Sequence, residues 1–282
     1  MILVFGSAGQ VATELKEVLP DAVFLGRDRL DLARAGGISE TIRKIAPAGI
    51  INAAAYTAVD KAEDDQDVAR RINADAPAAM AHAAAASGIP IIQLSTDYVF
   101  DGHGDEAFLP DAPTGPLGAY GRTKLLGEQG IRNSGAIHAI LRTSWVFSAH
   151  GSNFLKTMLR LSETRRELTI VGDQIGGPTP AASIAFAAVK ILEALQREPA
   201  KSGTYHFAGA PDVSWAGFAR DIFRQAGREI RIADIPTSDY PTPAKRPANS
   251  RLNCSSLAAF GLERPDWREG VSDALKKLGV IS

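Results

Sequence analysis

The chain has 282 residues, of which 45% are hydrophobic and 22% charged, and its formal net charge is −1. That is the make-up of a globular enzyme of one large domain or two modest ones. The balanced charge and the lack of any Lys/Arg block exclude a nucleic-acid footprint. A single cysteine, Cys254, excludes an internal disulfide framework, and the five histidines (His82, His103, His138, His150, His206) lack metal-ligand spacing. No apolar run reaches the roughly 18 residues of a membrane span. The first residues read as a buried strand rather than a cleavable signal, so a cytoplasmic protein without a membrane partner is expected.

In chain order, Met1–Phe5 is a short continuous apolar run, as in a strand buried on both faces. It leads directly into Gly6-Ser7-Ala8-Gly9-Gln10-Val11-Ala12 and a helical pattern over Thr13–Leu19. Strand, glycine turn and helix form the context of a dinucleotide fingerprint, here spaced G-x-x-G-x-x-A. Gly6 permits the tight turn, and Gly9 lets the backbone approach a pyrophosphate at the helix N-terminus. A second strand, Ala22–Leu25, ends at Gly26-Arg27-Asp28-Arg29. An acid near this point binds a ribose 2′-hydroxyl, whereas Arg pairs with a 2′-phosphate. Arg27 beside Asp28 is ambiguous between NADH and NADPH and leans to NADPH. Asp31-Leu32 follows, either at the adenine or starting a helix. Gly49–Thr57 reads as a strand that loses bulk at Ala53-Ala54-Ala55, leaving room for a flat ligand.

Asp64–Ser87 is one long Ala-rich helical pattern, stopped by Gly88 and Pro90. A strand then runs into Ser95-Thr96-Asp97-Tyr98-Val99-Phe100-Asp101-Gly102. After a Gly/Pro/Asp-rich loop comes Ala119-Tyr120-Gly121-Arg122-Thr123-Lys124. Tyr120 and Lys124, at i and i+4, share a helix face. A cation beside the phenol lowers its pKa and makes it usable in proton transfer, and Thr96 can hold a carbonyl oxygen. Ala139–Phe147 is a further strand, and Leu168–Val171 and Gly203–Ala208 follow it. Helices are expected over 154–161, 181–195, 215–226 and 267–278. Strands alternating with helices predict an α/β fold, a Rossmann-type doubly wound parallel sheet, with a smaller interleaved α+β substrate domain. The dinucleotide-binding domain is expected over residues 1–147, rejoined by about 181–208, with 148–180 and 209–282 as the substrate domain.

The glycine turn and the Thr96/Tyr120/Lys124 set resemble the extended short-chain dehydrogenase/reductases. More narrowly, Ser95–Gly102, Tyr120–Lys124, Arg142-Thr143-Ser144-Trp145, Asp173-Gln174 to Pro178-Thr179 and Arg246–Leu252 resemble the dTDP-4-dehydrorhamnose reductase family. The resemblance implies reduction by NADPH, or NADH, of the C4 ketone of dTDP-4-dehydro-L-rhamnose to dTDP-L-rhamnose. It makes Tyr120 the proton donor, Lys124 its pKa modulator and ribose ligand, and Thr96 the carbonyl ligand. It implies cofactor contacts at Gly6, Gly9, Gln10, Val11, Arg27, Asp31, Leu32 and Ala53–Ala55. Val59, Asp97, Tyr98 and Trp145 would face the sugar, and Asn153, Arg246 and Asn249 the nucleotide half, whose diphosphate needs charge-assisted donors.

Two alternatives stay open: a reductase of another dTDP-4-keto-6-deoxysugar, and a non-catalytic NADP-binding regulatory subunit of the methionine adenosyltransferase type. Some members of the resembling family join two subunits through magnesium held by glutamates. Glu14 matches one such position, but Pro180-Ala181-Ala182-Ser183 offers no second carboxylate. The expectation is therefore a metal-independent monomer or weak homodimer, with Glu14 a solvated helix residue.

Overall fold

The computed structural model describes residues 1–34 and 36–282. Its strands are β1 (Ile2–Phe5), β2 (Val23–Leu25), β3 (Gly49–Asn52), β4 (Ile91–Thr96), β5 (His138–Thr143), β6 (Val146–Phe147), β7 (Glu167–Val171), β8 (Ile175–Gly176), β9 (Thr179–Pro180), β10 (Gly203–His206), β11 (Val213–Ser214), β12 (Arg231–Ile235) and β13 (Asn249–Ser250). The helices are α1 (Gln10–Val18), α2 (Ile38–Ile45), α3 (Gln66–Arg70), α4 (Ala76–Ser87), α5 (Ala119–Asn133), α6 (Phe154–Ser162), α7 (Ala181–Arg197), α8 (Trp215–Gln225) and α9 (Trp267–Lys277).

Six strands form one parallel sheet in the order β10-β5-β4-β3-β1-β2. Its inner strands are largely apolar on both sides, because helices cover both faces. Val4, Ile51, Ile92 and Leu141 point to the face holding α1 and α7. Leu3, Phe5, Ile50, Ile91 and Ile140 point to the face packed by α2 and α4. The strand order reverses between β1 and β3, so the crevice beyond their carboxyl ends is the place where such a sheet binds a ligand. A separate apolar cluster joins Phe147, α6, β7, α8 and α9 around the buried Trp267. The outlying strands pair in small sets: β7 with β12, β6 with β9, and β8 between β11 and β13. Leu252, Cys254 and Leu257, which the sequence assigned to the substrate domain, are packed in the core beneath the main sheet.

The expected helix over 64–87 is broken. Residues 71–75 form a π turn between α3 and α4. Pro77 has no N–H to give the carbonyl four residues back, that of Asn73, so the helix widens there. The freed carbonyl lies against α5, where a Cβ on Gly127 would come within 2.1 Å of it. The expected strand at 139–147 is also interrupted, because Trp145 adopts a left-handed φ of 49° and turns the chain out of the sheet. For a bulky residue that conformation is strained, and such strain gathers where function needs it.

Candidate active site

The glycine turn meets the alanines at the switch point. Gly6 has φ +104°, and a Cβ there would stand 3.2 Å from the Ala53 carbonyl carbon and the Ala54 nitrogen. A Cβ on Gly9 would meet nothing within 4 Å, so the N-terminus of α1 opens onto free space. A cavity of about 440 Å³ lies there, lined by Gly6–Gly9, Leu25–Arg27, Leu30–Leu32, Ala53–Ala55 and Ile72. Bare backbone at a helix N-terminus suits a pyrophosphate, the alanines leave width for a flat ring, and Arg27 stands exposed at the rim. This donor set fits a dinucleotide. Gly6, Gly9, Arg27, Asp31, Leu32 and Ala53–Ala55 all line the cavity.

Gln10 and Val11 do not line it. Val11 is packed in the core. The Gln10 amide faces the other way, with Oε1 accepting from Asn153 Nδ2 at 2.8 Å and Ser148 Oγ at 3.0 Å. Asn153 caps α6 by accepting the Lys156 N–H at 3.0 Å, and its Nδ2 also donates to the Ser148 and His150 carbonyls. Asn249 donates to the Glu106 carbonyl at 2.8 Å, and its Oδ1 accepts from the Arg251 backbone and guanidinium. The two asparagines assigned from the sequence to the nucleotide half are thus internal braces with their amides already engaged. Only tertiary contacts reveal this, since a bracing and a ligand-binding asparagine look alike in sequence.

β4 delivers Thr96 and Asp97 to the bottom of the cleft, and α5 brings Tyr120 over them. The Thr96 hydroxyl donates to Asp97 Oδ1 at 3.0 Å and accepts the Tyr98 N–H at 3.2 Å. The Tyr98 and Tyr120 rings meet edge to face, 5.5 Å apart. Burial pushes the Tyr120 phenol well above the ordinary tyrosine range, Asp97 adds to this, and a contact with the Thr96 hydroxyl opposes it. Burial also raises the Asp97 carboxyl to about 6, with Ser250 and Thr96 pulling it back, and raises Tyr98 to about 12, with Arg246 opposing.

Lys124 departs from expectation. Its Nζ donates to the Leu94 carbonyl at 2.6 Å, and burial lowers it to about 8 against the opposing charge of Glu128. Lys124 is not among the groups shifting the phenol. In this state the phenol is held protonated, as a proton donor must be before it acts.

A second cavity of about 460 Å³ extends from Tyr98 and Asp60 along α6 and β7 to Trp215 and Arg246. Arg246 Nη2 donates to Asp60 Oδ2 at 2.7 Å, while its Nη1 is buried without a partner. Trp145 stacks on Trp215, with ring centroids 3.6 Å apart, and Trp215 Nε1 donates to Gln174 at 3.2 Å. Val59 is half-buried beside Asp60 on the loop after β3. Asp60 and Trp215 were not singled out from the sequence, because neither lies in a motif, and Gln174 and Ser250 lie in stretches that carry the resemblance but were given no role there.

These features together match known proteins. A profile described as "RmlD substrate binding domain" matches residues 1–280. A dTDP-4-dehydrorhamnose reductase of Sinorhizobium fredii is 44% identical over 95% of this chain and 94% of its own length. The chain belongs to the dTDP-4-dehydrorhamnose reductase family. Two solved structures of the family agree with the fold. A Clostridium acetobutylicum dTDP-4-dehydrorhamnose reductase superposes with a TM-score of 0.92, at 34% identity and 99% coverage of each chain. One from Bacillus anthracis, solved in complex with NADP, superposes with 0.91, at 33% identity and 98% coverage of each.

Glu14 corrects an expectation within this family frame. It is 5% exposed, not solvated, and accepts from Lys277 Nζ at 3.0 Å, with His150 Nε2 at 3.4 Å. Among the described residues, no three His, Cys, Asp or Glu side chains cluster so as to hold a metal ion, and no helix is long and apolar enough to cross a membrane.

Proposed function

We propose that this chain reduces the C4 ketone of dTDP-4-dehydro-L-rhamnose to dTDP-L-rhamnose, with NADPH preferred and NADH accommodated. The observation that carries this reading is Thr96 at the end of β4 and the Tyr120/Lys124 face of α5, set in the same sheet whose switch point opens a cavity that fits a dinucleotide. A reduced nicotinamide bound in that cavity supplies the hydride. Thr96 orients the ketone oxygen, and Tyr120 gives its proton to that oxygen as it becomes a hydroxyl. Lys124 holds the ribose, and its ammonium steadies the phenolate that the proton transfer leaves. Arg246, with a buried donor to spare, meets the diphosphate of the dTDP moiety. Val59, Tyr98 and Trp145 border the sugar. On this reading residues 1–147 with 181–208 carry the cofactor, while 148–180 and 209–282 carry the nucleotide sugar except where 252–257 return to the main core.

Mixing the full chain with NADPH and the ketosugar tests the reading by loss of the reduced-nicotinamide absorbance and formation of dTDP-L-rhamnose. NADPH binding with no turnover would instead favour a non-catalytic, regulatory role. Faster turnover of a different dTDP-4-keto-6-deoxysugar would move the substrate assignment. In the same assay Arg27→Ala is expected to weaken NADPH by about 1.5–3 kcal/mol, the worth of a charge-assisted bond, and to leave NADH nearly unchanged. Equal losses for both cofactors would make Arg27 a general surface charge.

The Glu14 carboxylate already has the Lys277 ammonium on it, which supports a metal-independent enzyme, and we take the chain to be monomeric or weakly dimeric. Activity and light-scattering mass are expected to be unchanged by EDTA. Loss of either on chelation, restored by magnesium, would overturn this.

A further inference from the structure

Behind the site lies a buried ionic hub that the mechanism above does not use. Glu128 is fully buried, one helical turn beyond Lys124 on the same face of α5. Its Oε1 accepts from Ser95 Oγ at 2.6 Å and Arg142 Nε at 2.9 Å. Its Oε2 accepts from Arg142 Nη2 and Arg132 Nη2, each at 2.7 Å. Arg142, on β5 and 1% exposed, also donates to the Pro110 carbonyl at 3.0 Å, lies against His206 Nε2 and covers the Phe100 ring. The carboxylate therefore binds α5 to the residue before Thr96, while its partner Arg142 grips the loop leading into Tyr120. Leu94, which receives the Lys124 ammonium, is the residue before Ser95.

We propose that Glu128 is a positioning residue for the reaction: it sets α5 against the end of β4, so that Tyr120, Lys124 and Thr96 keep register, and its charge, one helical turn from Lys124 on the same helix face, favours the ammonium. The proposal rests on the Tyr120/Lys124 reading above. Other charges on the elements packed around α5 do not do this work. Asp67, Arg70, Arg71, Asp75 and His82 are exposed, and Glu63 accepts the Ala119 N–H and faces Arg122. Asp97 lies with Thr96, and Arg142 is committed to Glu128. The buried His206 is held neutral, burial and Arg142 lowering it to about 3. Glu128 is the charge that acts on Lys124, holding it up against burial.

The test compares Glu128→Gln with Glu128→Asp in the full chain. It reads kcat against pH and, separately, NADPH affinity against pH by fluorescence. In Glu128→Gln the charge is gone, so the alkaline limb of both profiles is expected to fall by about one pH unit. Glu128→Asp keeps the charge but is one methylene short of holding Ser95 and Arg142 together. Its limbs are expected to stay in place while kcat drops roughly tenfold, the cost of a misplaced site. A merely structural role would lower stability in both variants and move neither limb. An unmoved limb in Glu128→Gln, or wild-type kcat in Glu128→Asp, would overturn the proposal, and if the Gln variant does not fold the Asp variant decides. Should Tyr120→Phe prove fully active, the proton-donor reading fails, and the pH dependence of NADPH binding alone judges Glu128.

Discussion

Tyr120→Phe is expected to lower kcat about 10²-fold or more while leaving NADPH affinity close to wild type. The substitution deletes only the hydroxyl, so the edge-to-face packing on Tyr98 at 5.5 Å is kept, and the Lys124 bond to the Leu94 carbonyl is not touched. What is lost is the group placed to protonate the developing hydroxyl, and 10² in rate corresponds to about 2.7 kcal/mol of barrier. Because the phenol lies well above the ordinary range, its proton is present throughout the neutral region. The alkaline fall in the wild-type rate should instead follow Lys124, near pH 8. Steady-state turnover and a fluorescence titration with NADPH check the two halves separately. A Phe variant turning over at nearly the wild-type rate would remove Tyr120 from the chemistry.

Arg142→Met is expected to destabilise the fold by about 3–5 kcal/mol, the cost of stranding one member of a buried ion pair. That is a large share of the 5–15 kcal/mol by which domains are stable. Met fills the volume beside Phe100, but the fully buried Glu128 loses its two-point partner and keeps only Ser95 and the half-exposed Arg132. The effect has a sign in pH. Burial pushes Glu128 up, but Arg142, Ser95 and Arg132 outweigh it and hold the carboxyl below its ordinary value. The pair's stabilisation is thus present above the unfolded value and is lost as pH falls through the folded one. In the variant burial acts with less opposition, so Glu128 takes up its proton at a higher pH. The gap between wild type and variant should be largest near neutrality and should close in acid. Urea midpoints at pH 7 and pH 4 measure it, and an equal gap at both would show that Arg142 acts by volume rather than by charge.

Several elements of the fold were legible in one dimension. The continuous apolar run at 1–5 and the largely apolar stretches at 49–52 and 91–94 announce buried strands, and the glycine turn after the first of them marks the crevice. The four-residue spacing of Tyr120 and Lys124 put both on one helix face. The same spacing carries on to Glu128, a regularity available in the sequence. Other features could not be read there. The π turn at 71–75 needs a proline and an approaching glycine fifty residues away, and the role of an asparagine depends on what its amide meets.

The local chemistry of this protein was determined by its sequence: strand, turn and helix at the cofactor end, the hydroxyl–phenol–amine set of Thr96, Tyr120 and Lys124, and membership of a family whose motifs run the length of the chain. These are properties of neighbours along the chain, where backbone geometry fixes spacing. The tertiary structure decided the electrical state of the site and the partners of its polar groups. It raised the phenol by burial, turned Lys124 onto a backbone carbonyl, engaged Asn153 and Asn249 as braces and buried Glu14 against Lys277. The reason is that desolvation and charge pairing depend on distance through space, and residues remote in sequence set both.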